Sequence, residues 1–135
     1  MDRAEWWFKI LFFALLGMGL ENIWTGIYGF IKNRDVTLRG YSNVWVLPVY
    51  GIGAWAFGFF IGVLQNAAWW VRGLIYVVLI YAIEYLANFT IERWTGANPW
   101  PYEGRLHINH RINLAYFPLW FVFGFMVEFF HFFLE

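Results

Sequence analysis

The chain has 135 residues, a formal net charge of zero and no cysteine, which excludes disulfides, thiolate metal sites and thiol catalysis. Hydrophobic residues make up 61% of it and charged residues only 13%, against roughly 25% charged in a soluble domain. The aromatic share of 25% is typical of membrane helices, whose Trp and Tyr side chains favour the interfaces. We therefore expect an integral membrane protein with one multipass domain over residues 1–135.

Four apolar runs predict an all-α fold, a bundle of four transmembrane helices. The predicted spans cover residues 6–31, 43–64, 73–93 and 112–133. Each run approaches or exceeds the roughly 20 residues that a helix needs to cross a bilayer. The runs are too long for the strands of a membrane barrel, so we predict no β-sheet. The first run is also too long for the apolar region of a signal peptide, so we expect a retained helix.

The first predicted span places Glu21 inside hydrocarbon. A carboxylate there costs a few kcal/mol or more, so such a residue usually faces the protein interior and has a function. Trp24, Thr25 and Tyr28 share its helix face, and Asn22 lies beside it. This face is therefore a candidate part of a binding site.

Loop one follows, with the charged residues Lys32, Arg34, Asp35 and Arg39. Gly40 and the pair Ser42-Asn43 predict a turn and then a helix cap. In the second span small residues recur every four positions at Ala54, Gly58 and Gly62, a pattern that favours close helix packing.

The third predicted span carries a polar stripe. Glu84, Asn88 and Glu92 recur every four residues, and Tyr81 lies near the same face. This stripe indicates either a substrate or ion pathway or a buried polar pair that orients helices. Because spans one and three run in the same direction, we predict that Glu21 and Glu84 share one polar cluster, which suits proton transfer, cation coordination or acid–base chemistry.

Loop three, about residues 94–111, is the longest connection, and its prolines prevent a continuous helix. We predict that it folds back over the polar cluster, anchored by Trp94, Trp100 and Tyr102, with Arg105 or Arg111 near the opening. Two histidines three residues apart in this loop lack a firm third ligand, so we assign no metal site.

The fourth span contains Glu128, with a histidine one turn later. It is either an interfacial anchor or part of the site. Six of the nine Lys and Arg residues fall on the side of loops one and three, which favours the cytoplasm for these loops.

Two strings carry a family resemblance, Gly-Leu-Glu-Asn-Ile-Trp-Thr-Gly at 19–26 and Ser-Asn-Val-Trp-Val-Leu-Pro-Val-Tyr-Gly at 42–51. The chain resembles the transmembrane protein 229 family and its bacterial CmpB-like relatives, described as putative ABC-transporter type IV permeases. The resemblance implies a small multipass protein with these motif residues: Glu21, Asn22, Trp24, Gly40, Ser42, Trp45, Pro48, Tyr50, Gly51, Glu84, Trp100, Tyr102 and Glu128. Family members often have an acidic residue and a serine where this chain has Pro101 and Glu103.

Three function classes stay open: a transporter-like or solute- or lipid-binding protein with a polar intramembrane pocket, an intramembrane enzyme acting on a lipid or isoprenoid, and an accessory subunit of a larger complex. No catalytic residue or cofactor can be assigned, and the phosphate-binding loop of an ATPase is absent. We expect membrane lipids and a homo-oligomer or larger membrane complex as partners, no nucleic acid, and a bacterial inner membrane location. The candidate substrate-binding residues are Glu21, Asn22, Trp24, Tyr50, Glu84, Asn88, Trp100, Tyr102, Arg105 and Arg111.

Overall fold

A computed structural model describes residues 3–134 and the side-chain surroundings of residues 6–134. Its four main helices are α1 (Arg3–Asn33), α2 (Val46–Leu64), α3 (Trp69–Thr95) and α4 (Phe117–Phe133). Each provides a segment long and apolar enough to cross a membrane, with α4 extended by a short 3₁₀ turn at Leu114–Tyr116. The predicted all-α, four-span membrane fold is therefore confirmed, and the chain is a multipass integral membrane protein.

The helix ends differ from the predicted spans where local chemistry intervenes. The backbone enters α2 through tight turns, in which the amide of Val46 donates to the carbonyl of Asn43, so the helix begins three residues later than predicted. The helix α3 begins at Trp69, four residues early, which brings Arg72 into its first turn. The helix α4 begins at Phe117, with a proline in its first turn, a position that proline tolerates because the amide is not needed there.

Contacts within the chain group its described residues into two compact units, residues 3–55 and 56–134. In the N-terminal unit, α1 packs antiparallel on the first half of α2. The rings of Trp6 and Trp55 lie 6.2 Å apart, and the ring of Tyr50 lies directly on the backbone of Gly17. A side chain at Gly51 would come within 2.7 Å of the carbonyl oxygen of Ile10, so small residues allow this close approach.

Loop one returns onto α1 in the same unit. The hydroxyl of Thr25 donates to the carbonyl of Tyr41 at 3.2 Å and accepts from its amide at 2.9 Å. A Cβ added to Gly40 would overlap the carbonyl oxygen of Asn22, and one added to Gly26 would overlap that of Leu38. The Asn-x-x-Thr-Gly part of the first motif is thus a docking face for the backbone of loop one.

In the C-terminal unit, α3 and α4 pack antiparallel. The backbone of Gly73 lies against the ring of Phe121, and that of Gly124 lies against the side chain of Tyr76. The buried core of this pair is formed by Val77, Tyr81, Ile112 and Trp120. The second half of α2 packs on α3 in this unit through Phe57, whose ring lies 4.8 Å from that of Tyr76.

A short hairpin lies between α3 and α4. Two strands, β1 (His107–Ile108) and β2 (Ile112–Asn113), pair antiparallel. The turn residues Asn109 and His110 both have positive φ, 52° and 57°, and the amide of Arg111 donates to the carbonyl of Ile108 at 2.9 Å, the pattern of a type I′ turn. The prediction that no β-sheet forms is wrong at this one hairpin, because an Asn-His turn lacks the glycine that usually signals it.

Candidate functional site

Glu84 lies within α3, eleven residues before its last residue Thr95, and it is half-buried. At 1.5 Å per residue this is about 16 Å from the end of the helix. The hydroxyl of Tyr102 nevertheless donates to Oε2 of Glu84 at 3.2 Å. The segment that follows α3 therefore runs back along the helix, as predicted, and brings a phenol to a carboxylate deep in the span.

Asn88 fastens this returning segment to α3. Its side chain is fully buried, and its amide nitrogen donates to Oδ1 of Asn98 at 2.7 Å and to the carbonyl of Trp100 at 3.5 Å. Its oxygen accepts from Nη1 of Arg111 at 2.9 Å. A buried amide must find such partners, and here three separate groups supply them. Asn88 thus positions both ends of loop three.

Arg111 is held between α3 and the hairpin through the terminal nitrogens of its guanidinium. Besides the bond to Asn88, its Nη2 lies 3.2 Å from Oε1 of Glu92, and its side chain is only 14% exposed. The guanidinium carbon lies 5.2 Å from the ring centre of Phe89 and 5.6 Å from that of Tyr85, within cation–π range. Its Nε is buried and has no hydrogen-bond partner among the described residues, and a binding role for Arg111 stays a prediction.

The backbone around Tyr102 is fixed by the hairpin. The amide of Tyr102 donates to the carbonyl of His110 at 3.0 Å, and its carbonyl lies 2.7 Å from Nδ1 of that histidine. The ring of His110 stacks on that of His107 at 3.9 Å, and Nδ1 of His107 accepts from the His110 amide. The two histidines are thus part of the turn, and no group of three metal-ligating residues occurs within residues 3–134.

Aromatic rings continue from Tyr102 into the core. Its ring lies 5.6 Å from that of Tyr116, which lies 6.4 Å from that of Trp120. Tyr81, three residues before Glu84 on α3, donates from its hydroxyl to the carbonyl of Asn113 at 3.0 Å. The indole nitrogen of Trp120 is buried and has no hydrogen-bond partner among the residues that the structure describes. Glu84 therefore borders a region rich in aromatic surface.

A second polar cluster lies at the other end of α3. Nε of Arg72 lies 3.0 Å from Oε1 of Glu128, and the hydroxyl of Tyr76 donates to the same oxygen at 3.0 Å. Arg72 also donates to the carbonyl of Ala67 at 2.9 Å and lies over the ring of Phe125. Glu128 is 9% exposed, so it is a buried ion-pair partner of Arg72, and a role for it in a binding site stays a prediction.

Sequence reasoning placed Arg72 in loop two and so missed this cluster. The signal was present, because Arg72, Tyr76, Glu84, Asn88 and Glu92 all fit a spacing of four with one gap. From Arg72 to Glu92 the helix rises about 30 Å, the thickness of a bilayer core. Lys9, one of the three basic residues outside loops one and three and their flanks, is only 3% exposed. An arginine near a helix end, such as Arg72, can therefore be the ion-pair partner of a carboxylate far away in the sequence.

The remaining predicted residues have the following places. In the N-terminal unit, Glu21 is half-buried, and its clustering with Glu84 stays a prediction. Asn22 donates to the carbonyl of Met18 at 2.9 Å, whereas Trp24 is 39% exposed and its ring lies 6.2 Å from that of Tyr28. In the C-terminal unit, Trp100 is half-buried and held through its backbone. Trp94 and Arg105 are exposed. Of the two predicted arginines, Arg111 is the one that contacts the polar face of α3.

Comparison with known proteins identifies a family. A family described as "Putative ABC-transporter type IV" matches residues 6–135, nearly the whole chain, and corresponds to the CmpB-like part of the resemblance. No curated protein and no solved structure matches. Because the match covers far more than half of the sequence, the chain belongs to the "Putative ABC-transporter type IV" family.

Proposed function

We propose that this protein is a transporter-like membrane protein that binds a polar solute or lipid at the polar face of α3, with Glu84 as the principal binding group. The observation that carries the proposal is the contact between Glu84 and Tyr102. A carboxylate this deep in a span is costly, and intramembrane carboxylates usually mark substrate or ion pathways. Substrate sites of transporters also lie near the middle of the bilayer, where Glu84 falls within its helix.

The surrounding residues have supporting roles in this proposal. Tyr102 presents a hydroxyl beside the carboxylate, and the backbone of Trp100, two residues earlier, is bound by Asn88 and Asn98. Asn88 and Arg111 keep loop three against α3, so the binding face is formed before a ligand arrives. Such preorganisation reduces the entropy that binding costs. Glu21, Asn22, Trp24 and Tyr50 of the N-terminal unit stay candidate binding residues.

The proposal can be tested through the compounds that the protein retains. The protein would be purified from a bacterial inner membrane into lipid nanodiscs, and bound small molecules and lipids would be identified by mass spectrometry. We expect at least one compound that the wild type retains and the Glu84→Gln variant loses. The matched control is Glu103→Gln, because the Glu103 side chain is exposed and only its carbonyl takes part in a described hydrogen bond.

The retained compound would then be enclosed in proteoliposomes to measure its flux. Glu84-dependent flux supports transport. Chemical conversion of the compound by the protein would instead indicate an intramembrane enzyme. Identical compounds in the wild type and Glu84→Gln, together with a co-purifying protein, would contradict the proposal and indicate an accessory subunit.

A further inference from the structure

We infer that Glu21 is a proton-binding site of the N-terminal unit, a carboxyl group that takes up and releases a proton inside the membrane span, with the hydroxyl of Ser42 as its hydrogen-bond partner. This site is separate from the proposed function, because it uses only residues of the N-terminal unit and requires no property of Glu84. Three observations carry it: the depth of Glu21 in α1, its lack of a countercharge among the described residues, and the segment of chain that lies across its helix face.

Glu21 lies deep in the membrane span of α1. This span covers Trp6–Asn33, and Glu21 is half-buried and twelve residues before its end. At 1.5 Å per residue Glu21 is about 18 Å from Asn33 and about 22 Å from Trp6. An ionised carboxylate at this depth is costly unless a cation or hydrogen bonds compensate it.

No countercharge compensates Glu21 within the described part of the chain. Among residues 3–134, Glu21 has neither a hydrogen bond nor an ion pair. The titratable side chains on its helix face and in the elements packed on α1 are Tyr28, Lys32, Arg34, Asp35, Arg39, Tyr41 and Tyr50. The ammonium of Lys32 lies 5.6 Å from the ring centre of Tyr28, and the charge of Arg39 acts on Asp35. A buried carboxyl group without a cationic partner is neutralised by taking up a proton.

The chain from Tyr41 to Tyr50 passes across this face of α1. One turn after Glu21, the hydroxyl of Thr25 is bonded to the carbonyl and the amide of Tyr41. One turn before Glu21, the backbone of Gly17 lies against the ring of Tyr50. Because residues 17, 21 and 25 share one helix face, the segment between these two contacts runs beside Glu21.

Ser42 is the polar residue that this segment brings towards Glu21. It directly follows the residue held by Thr25, its Oγ is buried, and this oxygen has no hydrogen-bond partner among the described residues. A buried hydroxyl normally has a partner. A serine hydroxyl can donate to a carboxylate and can equally accept from a protonated carboxyl group. It can therefore stabilise both states of a site that gains and loses a proton.

A polar route connects Glu21 with loop one. Thr25, Tyr28 and Lys32 follow Glu21 at spacings of four, three and four residues, so their side chains continue along the same face to the helix end. The side chains of Tyr28 and Lys32 are exposed. A proton needs only one carboxyl group and a hydroxyl, whereas calcium and magnesium ions take about six oxygen ligands. The residues along this face thus suit a proton best.

The experiment uses the full-length protein in lipid nanodiscs and the apolar reagent dicyclohexylcarbodiimide, which enters hydrocarbon and modifies protonated carboxyl groups. The carboxyl proton moves to a nitrogen of the reagent, and the carboxyl oxygen adds to its central carbon. The acyl group then migrates from oxygen to nitrogen, so the whole reagent stays attached and nothing leaves. Peptide mass spectrometry would locate the adduct and measure its rate of formation over a range of pH.

We expect an adduct on Glu21 whose rate of formation falls about tenfold per pH unit once the ionised form predominates. The exposed Glu103 is the internal control and should stay unmodified at neutral pH. Infrared difference spectra between acid and alkaline buffers provide a second measurement that does not depend on access of the reagent. The wild type should lose a band of protonated carboxyl at alkaline pH, and Glu21→Gln should lack this band.

The role of Ser42 has its own test. In Ser42→Ala the ionised form of Glu21 loses a hydrogen-bond donor, so modification should extend to higher pH and its rate at alkaline pH should rise several-fold. Ser42→Thr keeps a hydroxyl and should restore the wild-type profile. Thr37→Ala is the matched control, because its hydroxyl belongs to the same loop and is bonded to Asp35.

The inference is overturned if Glu21 gives neither an adduct nor an infrared band, or if its modification does not depend on pH. It is also overturned if sodium chloride, unlike potassium chloride, prevents the modification at constant pH, because the site would then bind a metal cation. If Ser42→Ala leaves the profile unchanged, Ser42 is not the partner of Glu21. A pH-dependent adduct on Glu21 without any Glu84-dependent compound would remove the proposed function and leave this site standing.

Discussion

The hydroxyl of Tyr102 lies 3.2 Å from Oε2 of Glu84, a residue eighteen positions earlier in the chain. The contact joins the middle of a membrane span to a loop that begins beyond its end. A loop that reaches a half-buried carboxylate in this way is placed to restrict access to it.

Removing the Tyr102 hydroxyl should weaken both folding and binding. In Tyr102→Phe the ring stays against Tyr116, but Glu84 loses a hydrogen-bond donor. We expect the free energy of unfolding to fall by about 1.5 kcal/mol, since a hydrogen bond to a charged group contributes about 1.5–3 kcal/mol. We also expect the affinity for a Glu84-dependent ligand to fall several-fold. Denaturant titration and calorimetry would measure the two effects. Tyr41→Phe is the control, because the described hydrogen bonds of Tyr41 use only its backbone.

Loop one should be dislodged by a single methyl group at Gly40. In Gly40→Ala the new Cβ overlaps the carbonyl oxygen of Asn22. Because the Cβ is attached directly to the backbone of loop one and the oxygen belongs to the backbone of α1, the overlap is relieved only if one of the two backbones moves. We expect the free energy of unfolding to fall by about 1–3 kcal/mol, as it does at other overpacked sites. Gly29→Ala is the control, because no atom lies within 4 Å of its added Cβ and alanine favours a helix. Equal stability of the two variants would contradict the docking of loop one on α1.

The stability of the polar turn in loop one should depend on pH through the carboxyl group of Asp35. Hydrogen bonds from the Thr37 hydroxyl and the Thr37 amide, together with the charge of Arg39, hold the pKa of Asp35 below its usual value. A carboxyl group whose pKa is lowered in the folded state stabilises that state above its unfolded pKa, and the contribution is lost as the pH falls through the folded pKa. In Thr37→Val we therefore expect the pKa of Asp35 to rise towards its ordinary value. Titration of the carboxyl carbon by NMR would measure this rise, and an unchanged pKa would contradict the turn.

The sequence alone was sufficient to predict the four membrane spans and the polar stripe of α3. A bilayer core demands about 20 apolar residues per helix, and the helical repeat places Glu84, Asn88 and Glu92 on one face. Both features are local, so periodicity and length reveal them. The return of Tyr102 to Glu84 was predicted only in outline, from the aromatic residues of loop three.

Other contacts could not be predicted, because they depend on tertiary register. Arg72 meets Glu128 only because α3 and α4 are aligned by the close packing at Gly73 and Gly124. The hairpin needs Asn109 and His110 in the left-handed region, which is uncommon for residues other than glycine although Asn and His are enriched there. The stacking of His110 on His107, which depends on the folded hairpin, fixes this turn.

The ion pair between Arg72 and Glu128 gives the most demanding test of the C-terminal unit. Glu128→Ala leaves the guanidinium of Arg72 and the hydroxyl of Tyr76 without their shared acceptor. Removing one partner of a buried pair costs about 3–5 kcal/mol, so we expect the free energy of unfolding to fall by at least 2 kcal/mol in Glu128→Ala. Glu128→Gln should restore about half of this loss, because its amide oxygen can still accept both hydrogen bonds. Unfolding by denaturant in mixed micelles would measure both variants, with Glu103→Ala as the exposed control. If Glu128→Ala unfolds at the same denaturant concentration as the wild type, the pair does not stabilise the packing of α3 on α4. If Glu128→Gln is as unstable as Glu128→Ala, the carboxylate charge contributes more than the hydrogen bonds to Arg72 and Tyr76.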